Sequence, residues 1–342
     1  MRKQLRLRME KAMLGRLMNP GSTVLPSISV VVPVYRSEGT LPTLVKRLQP
    51  VLAALAREYE VVLVNDGSPD HSWEIIEQLA ANNRWVRGIH LMRNYGQHNA
   101  VLCGVRAARY EILVTMDDDL QNPPEEMPKL IAKLGEGYDV VYGTVAHGRQ
   151  GVWRELASRI TRFALQKAMG VNIANQVSAF RAINSRVRAA FANYQSPYVS
   201  FDVLLTWGTT RFGCVPVRQE ARFAGPSTYT FRKLLTHGVT MMTGFSTWPL
   251  QMASLLGFAV TGLGLCILLY VVIRFIMAGG SVPGFPFLAS IFSIFSGAQL
   301  FALGIIGEYL ARMHFRLMDR PSYAIRSAVP QTANPPLRLP EL

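Results

Sequence analysis

The chain has 342 residues, 49% of them hydrophobic, and a formal net charge of +14 at pH 7. That length admits one large domain or two modest ones. The three cysteines are scattered without metal-ligand spacing, which leaves Cys103, Cys214 and Cys266 as reduced bystanders. The positive charge suits an anionic partner, either nucleic acid or an anionic membrane surface, and the apolar C-terminal stretches described below decide for the membrane.

Residues 1–26 form a basic extension, read as disordered or in peripheral contact with a surface, and Met1–Met18 lacks the continuous apolar core of a signal peptide. From Ser27 strand and helix signals alternate. Strands are predicted at Ile28–Val34, Glu60–Asn65, Val86–Leu91, Glu111–Met116 and Asp139–Thr144. Helices are predicted between them at Leu41–Arg57, Ser72–Asn82, Gln97–Arg109 and Pro124–Leu134. Repeated β-α units of this kind predict an α/β domain with a mainly parallel sheet and helices on both faces. The G-x-G-x-x-G fingerprint is absent, which removes the main support for a standard dinucleotide-binding reading.

Beyond Thr144 the pattern changes. Gly151–Gly170 reads as a basic amphipathic helix, either an ordinary surface helix on the sheet or one lying on anionic lipid. Thr228–Thr243 leads into Leu250–Ile273, which holds no charge, and a second uncharged stretch runs from Phe275 to Gly307 across the turn Ala278–Gly284. Each half exceeds the ~20 residues that cross a ~30 Å hydrocarbon core. Buried helices of a soluble bundle normally keep a polar face, so a two-helix transmembrane hairpin is the expectation. Arg222, Arg232 and Lys233 precede it and Arg312, Arg316 and Arg320 follow it, which places both termini and the N-terminal domain in the cytoplasm of a multi-pass inner-membrane protein. The expected domains are 1–26, a cytoplasmic domain at 27–230, a juxtamembrane segment at 231–248, the hairpin at 249–312 (spans about 250–273 and 285–307) and a cytoplasmic tail at 313–342.

The chemistry concentrates at strand ends. The apolar run Glu111–Met116 leads directly into Asp117-Asp118-Asp119-Leu120-Gln121-Asn122-Pro123-Pro124, setting carboxylates at the carboxyl end of a buried strand, where open α/β sheets bind ligands. If extended geometry persists, Asp117 and Asp119 face one side and can share a hard cation. The plain alternative is an acidic turn ahead of a helix. Three more stretches end strands in the same way: Val32–Glu38, Val64–Asp70 and Arg93–His98.

In this order and spacing the motifs resemble the polyprenyl-phosphate branch of the family 2 glycosyltransferases. That branch includes dolichol-phosphate mannose synthases, bactoprenol glucosyltransferases and, most similar here, undecaprenyl-phosphate formamido-arabinose transferases. The resemblance runs from about Ser27 to Tyr323 and rests on RNYGQH (93–98), DLQNPPEE (119–126) and GEGYDVV (135–141), with Gly307–Arg312 and Arg320-Pro321 further on. It implies a GT-A-like nucleotide-sugar-binding domain followed by the hairpin. Pro33 and Tyr35 would flank the nucleotide base, and Asp66 would hold base or ribose. Asp117 and Asp119 would bind Mg²⁺ or Mn²⁺ bridging the donor diphosphate, and Gln121 would line the sugar site. Arg222 and Ser227 match R-x-x-G-x-S-K and would meet phosphate.

Arg36-Ser37 stands where that family carries N-E, and Thr228 stands where lysine is common. Asp118 replaces a small residue between the metal ligands and is expected to point away, in a structural role. The resemblance also implies a polyprenyl phosphate acceptor, inversion at the anomeric carbon, a role in envelope glycan or lipid A modification, and homo-oligomers assembled through the membrane regions. Arg154, Arg159 or Arg222 would attract the lipid phosphate. Two rivals are weighed against this reading. A processive polysaccharide synthase is hinted at by Gln219–Phe223, but two spans cannot wall a translocation channel. A non-catalytic membrane scaffold would need no intact Asp66, Asp117, Asp119 and Arg222.

Overall fold

The computed structural model describes residues 25–144, 176–220, 248–278, 284–318 and 320–330. In chain order the first elements are β1 (Ser27–Val34), α1 (Leu41–Leu55), β2 (Glu58–Asn65), α2 (Ser72–Asn82), β3 (Val86–Leu91), α3 (Gln97–Ala107) and β4 (Ile112–Thr115). A single 3₁₀ turn at Pro124–Glu126 then enters α4 (Met127–Gly135), followed by β5 (Val140–Thr144) and β6 (Arg181–Asn184). A 3₁₀ segment at Ser185–Phe191 leads on to α5 (Phe201–Gly208) and β7 (Phe212–Pro216). Two long helices, α6 (Trp248–Ala278) and α7 (Phe285–Leu317), precede β8 (Ile325–Val329).

The eight strands form one sheet in the order β7-β5-β6-β4-β1-β2-β3-β8. β1 is central because all eight of its residues, SISVVVPV, are buried, the continuous apolar run of a strand covered on both faces. It pairs in parallel with β2 and β4, and β2 pairs in parallel with β3, while β6 runs antiparallel between β4 and β5. Strand pleating divides the core. Val30, Val32 and Val34 pack with Leu44 and Leu48 of α1, Ile76 of α2 and Leu130 of α4. Val31 faces the other way, toward Leu102 and Val105 of α3 and Leu204 of α5. On that face α3 comes so close that a Cβ at Gly104 would lie 2.3 Å from Val31 Cγ1. Glycine is the residue that permits this approach.

The fold class is the expected one, a mostly parallel α/β sheet followed by two apolar helices that can cross a membrane. Three of the strands, β6, β7 and β8, and with them the helix α5, lie where the sequence predicts no element. The most consequential is β8. The segment read as a tail returns to the sheet edge and pairs antiparallel with β3, Ala328 opposite Ile89 and Val329 opposite Gly88. Just before it, Ser322 is 2% exposed and its hydroxyl accepts from Ser196 N at 3.3 Å.

The two helices are long and apolar enough to span a membrane, over Leu250–Arg274 and Ile294–Ala311. They expose large apolar side chains, Phe258, Ile276, Met277 and Phe292 among them, and a contiguous apolar surface of this size marks contact with a membrane or a protein partner. α7 continues past the expected end of the second span, through Leu317. The basic helix expected at Gly151–Gly170, the segment Thr228–Thr243 and the extension up to residue 24 lie outside the described residues.

Candidate active site

Strand register gathers the motifs. Val34 stands opposite Asn65, Asn65 opposite His90, and Val31 opposite Thr115, so Tyr35, Asp66, Met92 and Met116 leave the sheet along one edge. That edge is the carboxyl end of the parallel strands, the ligand-binding side of open α/β sheets.

The loops there are tied to one another by side chains. Both oxygens of Asp66 accept backbone hydrogen bonds from the loop after β3, Oδ1 from Tyr95 N at 2.7 Å and Oδ2 from Gly96 N at 2.8 Å. The next residue needs to be glycine. Gly67 has φ +62°, and a Cβ there would lie 2.5 Å from Arg93 C and 2.6 Å from Asn94 N. After β1, Arg36 N donates to Ser68 Oγ at 2.6 Å, and Arg36 also has a positive φ of 58°. Tyr35 is 43% exposed, an aromatic face presented at the sheet edge rather than packed into the core. Pro33 lies two residues earlier and is buried within β1.

The three aspartates have separate partners. Asp117 Oδ1 accepts from Gln97 Nε2 at 2.6 Å, across the gap between β4 and the first turn of α3. Asp118 Oδ2 accepts from Tyr35 N at 3.3 Å and from the Ser37 hydroxyl, so it pins the loop after β1. Asp119 Oδ1 accepts from Gln121 N at 3.1 Å. β4 ends at Thr115, and Leu120 turns the chain with φ +61° while its side chain is buried. A left-handed leucine is a strained conformation, and such strain gathers at functional sites.

Burial pushes both Asp66 and Asp118 up to about 6, against the pull of the hydrogen bonds they accept. For Asp66 the consequence can be measured. Its anionic form is the better acceptor for the Tyr95 and Gly96 amides. As pH falls through about 6 the carboxyl takes up a proton and that order weakens. Donor affinity is expected to drop with an acid limb of slope near one, and the limb is expected to vanish in Asp66→Asn. A pH profile of kcat/KM for the two proteins checks this; an identical limb in both would assign it to another group.

A hard divalent cation fits the donor set. Asp117 and Asp119 offer carboxylate oxygens at a strand end, with no cysteine or histidine among the two to favour zinc. Among the described residues no cluster of three or more His, Cys, Asp or Glu forms a complete cage. A cation held by Asp117 and Asp119 would take its remaining ligands from substrate phosphate and water.

Gln121 follows the turn at Leu120. Its Oε1 accepts from Gln219 Nε2 at 3.1 Å and its carbonyl accepts from Glu220 N at 2.8 Å. The structure therefore brings together Pro33, Tyr35, Asp66, Asp117, Asp119 and Gln121 on one edge. Arg222 and Ser227 lie outside the described residues, as do Arg154 and Arg159. Gln97 lies within RNYGQH, where the resemblance assigns it no role; its position, on the first turn of α3 and bonded to Asp117, is the signal that singles it out.

Residues 29–190 match the sequence model of a family described as Glycosyl transferase family 2. The chain is also similar to crystal structures of glucosyl-3-phosphoglycerate synthase from Mycobacterium tuberculosis. With the structure described as a complex with Mn²⁺, uridine-diphosphate-glucose and phosphoglyceric acid it shares 22% identity at a TM-score of 0.48, over 67% of this chain and 83% of that one. With the complex of Mn²⁺, uridine-diphosphate and glucosyl-3-phosphoglycerate the values are 22% and 0.49, over 67% and 81%. The family match covers β1 to β6 and the loops that carry Tyr35, Asp66, Asp117 and Asp119. Over residues 29–190 the chain is thus similar to a glycosyl transferase family 2 domain.

Proposed function

We propose that the protein transfers one sugar from a nucleotide-diphosphate sugar, UDP-linked, to the phosphate of a polyprenol such as undecaprenyl phosphate, at the cytoplasmic face of the inner membrane. The observation that carries the reading is a pairing in one chain. Nucleotide-sugar motifs converge on one sheet edge, and the same polypeptide leaves that domain for an exposed apolar hairpin and returns to the sheet as β8. A glycosyltransferase whose acceptor is anchored in lipid needs its active site kept at the membrane.

The residues divide the work. Tyr35 presents an aromatic face to the base, and Asp66 accepts from base or ribose while holding the loop at Tyr95–Gly96. Asp117, oriented by Gln97, and Asp119 hold the cation. When bound, Mg²⁺ or Mn²⁺ supplies positive charge against the departing diphosphate. Arg222 adds a second cation against the same phosphates. The nucleophile needs no strong base, because a phosphate monoester with a second pKa near ~6 is already largely anionic at neutral pH. Gln121 supplies hydrogen bonds to the sugar, and in-line attack inverts the anomeric carbon. The product is a single-sugar lipid for envelope glycan or lipid A modification.

The test is purified protein with undecaprenyl phosphate, Mg²⁺ or Mn²⁺ and a panel of UDP- and GDP-sugars, with lipid-linked product read by mass. A single-sugar lipid lost on adding EDTA supports the proposal and names the donor. Donor turnover onto soluble acceptors with none on lipid would overturn the acceptor assignment, and polymer in place of a single sugar would point to a synthase.

A further inference from the structure

Arg47 lies on α1, outside all four motif loops, yet its guanidinium donates four hydrogen bonds to two carboxylates. Nε and Nη2 reach the two oxygens of Glu125 at 3.1 and 2.8 Å. Nη1 and Nη2 reach those of Glu220 at 2.9 and 3.1 Å. The bonds to Glu220 and then Glu125 hold the guanidinium still further toward its charged form, and the Arg47 bond holds the Glu220 carboxyl below the usual carboxylate range. A fork engaged on both sides defines geometry as well as charge.

A second anchor lies beside the first. Glu126, 1% exposed, accepts from Arg218 N at 3.2 Å and Arg218 Nε at 2.9 Å, and also from Lys129. Burial works to raise its pKa, but the Lys129 and Arg218 bonds outweigh that and hold it below the usual value. Residues 218–220 are thus fastened to α1, to the turn at Pro124–Glu126 and to Gln121 at the same time. Partly exposed ion pairs add little to stability, so stability alone is a poor reason for this many bonds on three residues.

Position supplies a better one. The Gln121 side-chain oxygen accepts from Gln219, which fixes the amide's orientation and leaves both Nε2 hydrogens to donate to a sugar hydroxyl. We infer that Arg47 is a positioning residue for sugar transfer: by clasping Glu125 and Glu220 it seats residues 218–220 against Gln121 and so aims the Gln121 amide. The inference rests on the transfer reading above and adds a device that sets up that site from outside it.

Arg47→Lys tests it, because lysine keeps the charge and loses the fork, with Glu220→Gln as a second variant at an exposed position. Amide hydrogen exchange at Arg218 and Glu220 is expected to speed up in both. kcat is expected to fall about tenfold or more, while UDP affinity in Mn²⁺ stays within about twofold, a split of the size seen when a supporting residue around an active site is lost. Faster exchange with kcat unchanged would reduce the clasp to a structural contact and overturn the inference, as would unchanged exchange. Turnover is read as UDP release, with lipid phosphate and separately with water as acceptor. A wild-type protein that releases UDP but makes no lipid product fails the acceptor proposal, while the water arm still decides on Arg47.

Discussion

Alanine at Asp119 is expected to abolish sugar transfer, with kcat down by roughly 10³-fold or more and the fold intact. The scale follows from what is lost. Removing one preorganised group that meets developing charge costs about 10²–10³-fold, and with the cation assigned to Asp117 and Asp119 each carries a large share of its protein ligation. The side chain is only half-buried, and the hydrogen bond it accepts from Gln121 N is worth about 1 kcal/mol to stability. Unfolding is therefore no explanation for a dead variant. Asp117→Ala is expected to behave alike.

Gln97→Ala separates ligand from support. Gln97 touches Asp117 and acts through it, so its loss is expected to cost about 10–100-fold, partly recovered by raising the Mn²⁺ concentration. Metal titrations of UDP release for the three variants check the order. If Asp119→Ala kept wild-type turnover and wild-type metal dependence, the cation would have to be elsewhere. If Gln97→Ala were as dead as the aspartate variants and deaf to added metal, Gln97 would be meeting substrate itself.

The contrast between these aspartates and Asp118 shows how far the sequence could be read. β1 to β4 were legible because their apolar runs stop at Tyr35, Asp66, the loop after β3 and Asp117, and parallel register then carries those stops to one edge. Period-two pleating was the argument for pairing Asp117 with Asp119 and sending Asp118 away. The strand ends at Thr115, however, and the left-handed Leu120 turns the chain within five residues, so pleating no longer governs the triplet. Asp118 is indeed structural in what it touches, but it faces the loop that carries Tyr35.

The strands that escaped notice share another cause. RAIN, FGCVP and IRSAV are four or five residues long and carry arginine, asparagine, glycine or proline in place of a clean alternation. They are strands because neighbours pair with them, a tertiary fact with little local signal. The same holds for Arg47 and Glu220, partners 173 residues apart. A single sequence shows both residues and gives no reason to join them.

One pair hidden in the same way carries the largest expected effect on stability. Arg181 of β6 and Asp202 of α5 are 3% and 6% exposed and joined as an ion pair within the sheet-helix layer. Arg181 Nε donates to Thr115 Oγ1 at 2.9 Å, and Tyr142 OH donates to Asp202 Oδ1 at 3.0 Å. Burial first, then the Asp202 charge, push the Tyr142 hydroxyl well above its usual pKa, so it remains a neutral donor. Asp202→Ala removes the counter-charge and leaves a guanidinium stranded among Tyr142, Phe201 and the sheet.

Breaking such a pair from one side costs about 3–5 kcal/mol, a large fraction of the 5–15 kcal/mol that holds a domain together. For a domain of this size the loss corresponds to roughly 10 °C in Tm. Replacing both partners is a different experiment. Arg181→Met with Asp202→Leu removes charge and counter-charge together, and well-packed apolar substitutes for a buried pair are often neutral or stabilising. Thermal unfolding of the single and double variants is expected to show the double recovering most of what Asp202→Ala loses. The outcome that would sink this account is a double variant worse than the single, since it would mean that the hydrogen bonds to Thr115 and Tyr142, rather than the compensation of charge, hold β4, β5, β6 and α5 in register behind the aspartates.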